Sequence, residues 1–383
     1  MIAAEFALRR KARFVRNIAD TIARMARAGA PIPRDTAPTR LTPLIEFGTN
    51  PGALLGYSYA PPGLRAGAPL VVVLHGCTQT AAGYDHGSGW SQLADRAGFA
   101  LLFPEQTRAN NPNLCFNWFA SEDTAQAGGE AESIAQMTET MIARHALDRS
   151  RVYVTGLSAG GAMTVAMLAT RPDLFAGGAA IGGLAYGTAT GVSQALDRMR
   201  GHGDTSDTAL VELVRSGARG HDGRWPTLAI WHGGADATVS VANADTIARQ
   251  WRGIHGVDAK TVREDRKGNA VHRTWSDAQG RAVVEDWTVP GMGHGTPIDP
   301  SRGERLGAVG PYMLDVGISS TAVIASSWGL IDTAAAPKPA AGDRVAKIAI
   351  PVTPKPAAKP RAAAPAGVQA TIEHALRAAG LMR

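Results

Sequence analysis

The sequence predicts an α/β protein whose central sheet is mostly parallel and carries helices on both faces. Short, continuous apolar runs recur through the middle of the chain, and such runs are typical of strands buried on both sides. Helical stretches separate these runs, and this alternation of strand and helix favours parallel pairing. The predicted strands are residues 70–74, 99–103, 151–155, 176–181 and 227–231.

The same patterns predict the helices and the far end of the sheet. Residues 130–145 and 159–170 are helical stretches that lie between predicted strands. Residues 272–275 and 282–289 are later β-like runs, and we expect them to extend the sheet.

A composition change on each side delimits one globular body, residues 50–333, between two tails. Residues 1–33 are predicted to form a basic amphipathic helix that ends at two prolines. Residues 334–367 are rich in Ala, Pro and Lys and are predicted to be a disordered linker, because they lack apolar residues to pack. Residues 368–383 are predicted to form a short helix.

Composition excludes several classes of protein. The chain has no apolar run of the roughly 20 residues that a membrane-spanning helix needs, and its first residues lack the apolar core of an export signal. Much of the net charge of +6 lies in residues 1–30, and no nucleic-acid-binding motif is present. We therefore expect no nucleic-acid partner. Residues 1–30 are either an ordinary solvated helix or a contact with a granule or an anionic membrane surface. The oligomeric state is left open.

The motif Gly-Leu-Ser-Ala-Gly at residues 156–160 identifies Ser158 as the candidate nucleophile. A predicted buried strand precedes the motif and a predicted helix follows it, which is the context that places a serine on a sharp, exposed turn. The glycines remove the Cβ atoms that would clash in such a turn. The N-terminus of the helix favours negative charge that develops nearby.

A serine nucleophile needs a base and a carboxylate that orients the base. His294 lies in a glycine-rich loop after a predicted strand, and Asp236 follows the strand 227–231 and a glycine turn. Asp245 is the nearest rival for the acid, but it lies within a helical run. The order Ser158, Asp236, His294 is the order found in α/β-hydrolases, so this is the fold that we predict. The other candidates for the base, which lie in or beside regular elements, are His232, His255 and His272.

Backbone N–H groups complete the predicted site. The oxyanion of an acyl-transfer reaction needs two donors, and we expect them to be the N–H of Ala159, just after the nucleophile, and the N–H of Cys77, at the end of an early strand. No group of His, Asp or Cys has metal-ligand spacing, so we expect neither a metal nor an organic cofactor.

Five motifs together resemble the poly(3-hydroxybutyrate) depolymerase family of esterases. The resemblance covers roughly residues 50 to 330 and follows the family's motif order. The motifs are LHGCTQ (74–79), CFNWF (115–119), GLSAG (156–160), HGGAD (232–236) and GMGHGTP (291–297). The resemblance implies a serine hydrolase that cuts esters of 3-hydroxybutyrate polymers or oligomers. The alternative is a feruloyl or acetyl-xylan type esterase with the same triad.

The resemblance also implies several structural details. It suggests a disulfide between Cys77 and Cys115, and it places Asn117 and Trp118 near the cleft as substrate-binding candidates. For Trp118 the alternative is simple core packing. The family is extracellular or periplasmic, whereas the sequence has no visible export signal, so a cytoplasmic location is left open.

Overall fold

The computed structural model describes residues 39–331, which fold around a ten-stranded sheet with the order β1-β2-β4-β3-β5-β6-β7-β10-β9-β8. Strands β11 and β12 form a separate parallel pair. The strands are β1 Thr42–Leu44, β2 Leu55–Tyr59, β3 Leu70–Leu74, β4 Ala100–Glu105, β5 Val152–Leu157, β6 Gly177–Ile181, β7 Thr227–Gly233, β8 Arg263–Lys267, β9 Ala270–Ser276, β10 Ala282–Val289, β11 Thr296–Ile298 and β12 Met313–Asp315.

Helices cover both faces of this sheet. The α-helices are α1 Ala81–Ser88, α2 Trp90–Ala97, α3 Ser121–Thr124, α4 Gly129–His145, α5 Ala159–Thr170, α6 Val192–Met199, α7 Asp207–Gly217, α8 Ala242–His255 and α9 Ser320–Ser327. Helices α4, α5 and α8 pack on one face, and α1, α2 and α9 pack on the other. Side chains of β3 alternate between these two cores, because successive residues of a strand point to opposite faces.

The predicted fold class is confirmed. Every strand predicted from an apolar run is present, with ends that differ by at most two residues, and the two helices predicted between strands, 130–145 and 159–170, are present. The six central strands, β4-β3-β5-β6-β7-β10, are parallel throughout. The carboxyl ends of these strands therefore meet at one edge of the sheet, which is where open α/β sheets bind ligands.

Antiparallel strands extend the sheet at both ends, and three of them have no signal in the apolar pattern. Strands β1 and β2 pair antiparallel next to β4, so the folded body begins before residue 50. Strand β8 has the sequence REDRK and is largely exposed. It pairs with β9 across a two-residue turn at 268–269. Because its side chains are charged, only pairing with β9 identifies it as a strand.

Several predicted segments lie outside the described residues. These are the basic helix at 1–33, the linker at 334–367 and the short helix at 368–383. Between residues 39 and 331, every helix is too short or too polar to cross a bilayer.

Candidate active site

Ser158 lies on the sharp turn between strand β5 and helix α5, at the carboxyl edge of the sheet. Its backbone angles are φ 57° and ψ −116°, a conformation that costs energy for any residue with a Cβ atom. Its N–H donates to the carbonyl of Ile181 on the neighbouring strand β6 at 2.8 Å. The side chain of Ser158 is half-buried. The sharp strand-to-helix turn with these backbone angles has the geometry of a nucleophile elbow.

The glycines of the motif are required by close backbone contacts. A Cβ atom on Gly156 would lie 2.5 Å from the carbonyl oxygen of Gly160, and a Cβ atom on Gly160 would lie 2.4 Å from that of Leu74. Real Cβ atoms do not approach backbone atoms this closely. The motif therefore lets helix α5 start directly against the end of strand β3.

Asp236 lies in the acid loop, residues 234–239, which follows strand β7. Its Oδ1 accepts hydrogen bonds from the backbone N–H groups of Thr238 and Val239 at 2.8 and 2.9 Å. Its Oδ2 accepts from Nδ1 of His294 at 2.6 Å, and its side chain is 1% exposed. Burial alone would raise the pKa of Asp236. Hydrogen bonds from His232 and His294 outweigh it and hold this pKa below the usual range.

Backbone contacts join the acid loop to the histidine loop, residues 290–295. Gly234 N–H donates to the Val289 carbonyl and Ala235 N–H donates to the Met292 carbonyl, both at 2.9 Å. A Cβ atom on Gly233 would lie 2.3 Å from the carbonyl oxygen of Gly293. The absence of a side chain at Gly233 thus permits the approach that brings Asp236 and His294 together.

Gly182, at the end of strand β6, lies between the serine turn and the histidine. Its neighbour Ile181 accepts the hydrogen bond from Ser158, and a Cβ atom on Gly182 would lie 3.2 Å from Cε1 of His294. Since Asp236 occupies Nδ1 of His294, Nε2 is the ring nitrogen left to accept a proton. Within residues 39–331 the Ser158 hydroxyl makes no hydrogen bond to this ring; such bonds are often long in unliganded enzymes and tighten when substrate binds.

The oxyanion loop, residues 75–79, is anchored covalently. A disulfide joins Cys77 to Cys115, and Thr78 N–H donates to the carbonyl of Asn113 at 2.7 Å. Thr78 has φ 64°, so the loop is held in a conformation that a free chain would rarely adopt. These two tethers fix the position of the Cys77 backbone.

Two N–H groups near Ser158 are free to bind a substrate oxygen. In the described part of the chain, the Cys77 N–H donates to no protein acceptor. Ala159 is the first residue of helix α5, where N–H groups have no partner within the helix. The close contact of Gly160 with the carbonyl of His75, 2.5 Å from its Cβ position, shows that the helix start adjoins the oxyanion loop.

Asn117 and Trp118 are held by interactions within the protein. Asn117 donates from its backbone N–H and its Nδ2 to the buried carboxylate of Glu130, both at 2.9 Å. Its Oδ1 accepts from Asn111. Trp118 is 9% exposed and packs in the core beside α4 and α5. Their role as substrate contacts stays a prediction.

Two residues make contacts at the site that the sequence patterns do not predict. His232 is fully buried, with Nε2 3.4 Å from Oδ2 of Asp236. Tyr312 packs edge to face against the His294 ring with a centroid distance of 6.1 Å, and it has φ 62°. Its carbonyl accepts from Thr296 N–H at 2.7 Å. His232 lies in the same HGGAD motif as Asp236, but the motif does not indicate that its ring faces the carboxylate. The contact of Tyr312 with His294 joins segments that no sequence motif links.

The burial of His75 and His255 leads us to expect that the free energy of unfolding falls in mild acid. Burial lowers the pKa of His75, at the start of the oxyanion loop, from 6.5 to about 4, and it lowers the pKa of His255 to about 4. Between pH 6.5 and about 4 the unfolded chain binds protons at these histidines that the folded protein does not. The stability that comes from keeping them neutral is therefore complete above pH 6.5 and is lost as the pH falls toward 4. We expect the free energy of unfolding to fall by about 2 kcal/mol per histidine between about pH 7 and about pH 4.5.

Urea unfolding at the two pH values measures this effect, and His255→Gln isolates one of the histidines. Nε2 of His255 donates to the carbonyl of Pro226 at 3.0 Å, and a glutamine amide retains a donor without titrating. We expect the free energies of unfolding at the two pH values to differ by about 2 kcal/mol less in this variant than in the unmodified protein. The same change at the exposed His202 serves as the control. An unchanged difference in His255→Gln contradicts the prediction.

Within residues 39–331, no group of three or more His, Cys, Asp or Glu side chains could hold a metal ion. Ser158 and the hydrogen-bonded pair of His294 and Asp236 follow three strands of the sheet, all at its carboxyl edge. Together with two backbone donors, they can support nucleophilic acyl transfer.

Comparison with known proteins points to one kind of enzyme. The family model described as esterase PHB depolymerase matches residues 55–273. Poly(3-hydroxyalkanoate) depolymerase C of Paucimonas lemoignei is 46% identical over 292 residues, which are 76% of this chain and 70% of that protein. A probable acetylxylan esterase A of Aspergillus clavatus is 32% identical over 72% of this chain and 90% of its own. The solved acetyl xylan esterase from Aspergillus awamori, at 24% identity, has a TM-score of 0.65 over 76% of this chain and 99% of its own, which supports the fold.

Proposed function

The chain belongs to the esterase PHB depolymerase family and is a carboxylic ester hydrolase, and we propose that it cleaves the ester bonds of 3-hydroxybutyrate polymers or oligomers through an acyl-enzyme on Ser158. The observation that carries the choice of substrate is the identity with the Paucimonas lemoignei depolymerase. The hydrogen bond between Asp236 and His294, beside the strained Ser158 turn, supports the assignment of residues.

The first half of the proposed reaction acylates the serine. Ser158 Oγ attacks the ester carbonyl carbon while Nε2 of His294 takes its proton. Asp236 accepts the Nδ1–H hydrogen bond, which holds the ring in the required tautomer and stabilises the imidazolium. The tetrahedral oxyanion accepts hydrogen bonds from the N–H groups of Cys77 and Ala159. His294 then protonates the alkoxide oxygen as the ester C–O bond breaks.

The second half releases the acid. A water molecule attacks the acyl-Ser158 carbonyl and gives its proton to His294, and the same two N–H groups hold the second oxyanion. Collapse of this intermediate returns the proton to Ser158 Oγ and frees the 3-hydroxy acid. Side chains and backbone groups of this chain carry every step.

The second candidate function keeps this chemistry and changes the substrate to feruloyl or acetyl esters of xylan. The acetylxylan esterase relatives favour it as a related activity. Turbidity loss of a poly(3-hydroxybutyrate) suspension and release from 3-hydroxybutyrate oligomers, measured beside release from acetylated and feruloylated xylan, separate the two. If only acetate or ferulate is released from xylan, and the polymer and oligomers of 3-hydroxybutyrate stay intact, the enzyme is a xylan esterase of the second kind. Ser158→Ala protein provides the blank.

We also propose that residues 1–30 attach the enzyme to a granule or to an anionic membrane surface. This segment lies outside the described residues, and its support is the cluster of basic side chains in the sequence. Deletion of residues 1–30 tests the proposal by co-sedimentation with polymer granules and with anionic liposomes. Equal pelleting of both forms rejects it.

The contact between Gly182 and His294 predicts that Gly182→Ala slows the reaction. Gly182 has φ +54°, and a new Cβ atom would lie 3.2 and 3.3 Å from Cε1 and Nδ1 of the ring. The ring must move by a few tenths of an ångström, and small displacements of a reacting group are costly. We expect kcat on a p-nitrophenyl ester to fall about tenfold with little change in KM.

A glycine with the same backbone strain but open surroundings provides the control. Gly280 has φ +79° and no atom within 4 Å of its Cβ position. It lies in the turn between β9 and β10. We expect Gly280→Ala to lose a similar amount of stability and to keep its kcat. Equal turnover in the two variants means that Gly182 does not set the position of His294.

A further inference from the structure

His232 lies at the end of strand β7, beneath the acid loop. It is fully buried, and its Nε2 is 2.8 Å from the carbonyl oxygen of Val239 and 3.4 Å from Oδ2 of Asp236. Because a carbonyl oxygen only accepts hydrogen bonds, Nε2 must carry the hydrogen. Val239 in turn donates its N–H to Asp236. His232 therefore contacts both the proposed catalytic carboxylate and the turn that holds it.

The other ring nitrogen of His232 has no partner. Nδ1 is buried and makes no hydrogen bond among the described residues. The same is true of Oδ1 of Asp286 on strand β10, whose side chain is fully buried. The second oxygen, Oδ2, accepts from Nε of Arg273 at 2.9 Å. Buried polar atoms without partners are rare in proteins and call for an explanation.

The register of the sheet places these two side chains on the same face. Strands β7 and β10 are parallel, with Thr288 opposite His232 and Asp286 opposite Ile230. Since alternate residues of a strand share a face, Asp286 and His232 are diagonal neighbours on one side. Helix α8 packs against both strands and closes this side from solvent. The charged groups around the space between them are Arg273 on β9, Asp236 in the acid loop and Asp245 on α8.

Two bare acceptors can share one buried space when a hydrogen lies between them, either on one of the acceptors or on a water molecule. A neutral histidine with its hydrogen on Nε2 has a bare Nδ1, and an ionised carboxylate has a bare Oδ1. Burial raises the pKa of Asp286, although Arg273 opposes this shift. The neutral acid would carry a hydrogen on Oδ1, and a bridging water molecule could accept it and donate one of its own hydrogens to the bare Nδ1.

We propose that His232 is a positioning residue for the carboxylate of Asp236, and that the protonated Oδ1 of Asp286 donates a hydrogen bond to a water molecule that in turn donates to Nδ1 of His232. This bond fixes the hydrogen of the imidazole on Nε2, where it holds Val239 and Asp236. The inference rests on the proposed role of Asp236. Strand β10 thereby supports the site twice, through the histidine loop that follows it and through Asp286.

Four variants test the proposal by kcat and KM on a p-nitrophenyl ester, with melting temperatures as a check on folding. His232→Phe keeps the ring and removes both nitrogens, whereas His232→Gln keeps a donor that reaches Val239. Asp286→Asn keeps a donor for the water molecule. Asp286→Leu is combined with Arg273→Met, so that no unpaired charge remains buried.

We expect His232→Phe to lower kcat by about 10- to 100-fold with KM unchanged, because outer partners of functional groups have effects of this size. The double change at 286 and 273 is expected to lower kcat in the same way. His232→Gln and Asp286→Asn are expected to retain most of the turnover. This rescue is what a merely structural role would not produce.

Three results overturn the proposal: full turnover in His232→Phe, equal losses in the Phe and Gln variants, or equal losses in Asp286→Asn and the double variant. Ser158→Ala is assayed in the same series. An inactive Ser158→Ala beside a fully active His232→Phe refutes this inference alone, whereas an active Ser158→Ala refutes the proposed function itself.

Discussion

Replacing Ser158 with alanine is expected to lower kcat on a soluble p-nitrophenyl ester by about 10⁵- to 10⁶-fold. Alanine has no hydroxyl to form the acyl-enzyme, and the remaining oxyanion donors stabilise only a slow attack by water. The fold should be unaffected, because serine and alanine bear the same backbone strain at φ 57°. We therefore expect the melting temperature to stay close to that of the unmodified protein.

The measurement combines initial rates with a thermal melt of each protein. Ser276→Ala is the control, since Ser276 is exposed at the end of strand β9 and pairs with Ala282 at the start of β10, opposite to the end that leads to His294. It should keep full activity. A Ser158→Ala protein that hydrolyses the ester at the original rate removes Ser158 from the mechanism, and with it the acyl-enzyme pathway.

Replacing Asp236 with asparagine is expected to lower kcat by about 10⁴-fold. Each hydrogen-bond partner of the carboxylate is a donor: the N–H groups of Thr238 and Val239, Nδ1 of His294 and Nε2 of His232. An amide must turn its NH₂ group toward one of them. If it faces His294, the ring takes the opposite tautomer, and Nε2 then carries a hydrogen and no longer accepts the proton of Ser158.

The matched control for this change is Asp245→Asn. Asp245 was the rival acid in the sequence, and it lies exposed on helix α8. Rates of both variants across a range of pH measure the effect. Full activity in Asp236→Asn together with a large loss in Asp245→Asn would move the role of the acid to the helix.

Much of the sheet could be predicted because its central strands are buried on both faces. A run such as 70–74 is apolar at every position, and no other short element requires this. The outer strands β1, β2 and β8 lack this property, since an outer strand exposes one face or both. For β8 the information lies in its pairing with β9, which joins residues of opposite character.

The proposed catalytic side chains could be predicted because each one stands beside glycines that its geometry requires. Gly156 and Gly160 permit the serine turn, and Gly233 permits the acid loop to meet the histidine loop. Gly295, next to His294, permits the approach of the Tyr312 carbonyl. Gly182 belongs to the same set, but its contact with His294 depends on how β6 lies beside β7, which local sequence does not determine.

The sequence identifies His232 only as a candidate base, because there it is one more residue at the end of a buried strand. Its relation to Asp286 comes from the parallel register of β7 and β10, whose residues are more than fifty positions apart. Tyr312 is a similar case, since β12 brings it beside the histidine loop through pairing with β11. Neither relation leaves a periodic pattern or a motif.

The position of β8 at the edge of the sheet affects the tendency of this protein to self-associate. An edge strand has unpaired backbone N–H and C=O groups, which can pair with a strand of another chain and so start aggregation. Here that exposed place is taken by REDRK, whose dense charge discourages a partner strand. Strand β10, which leads to His294, is shielded behind it by β9. The charged edge strand β8 therefore keeps other chains from pairing with the strands that support the site, including in a crowded or heated solution.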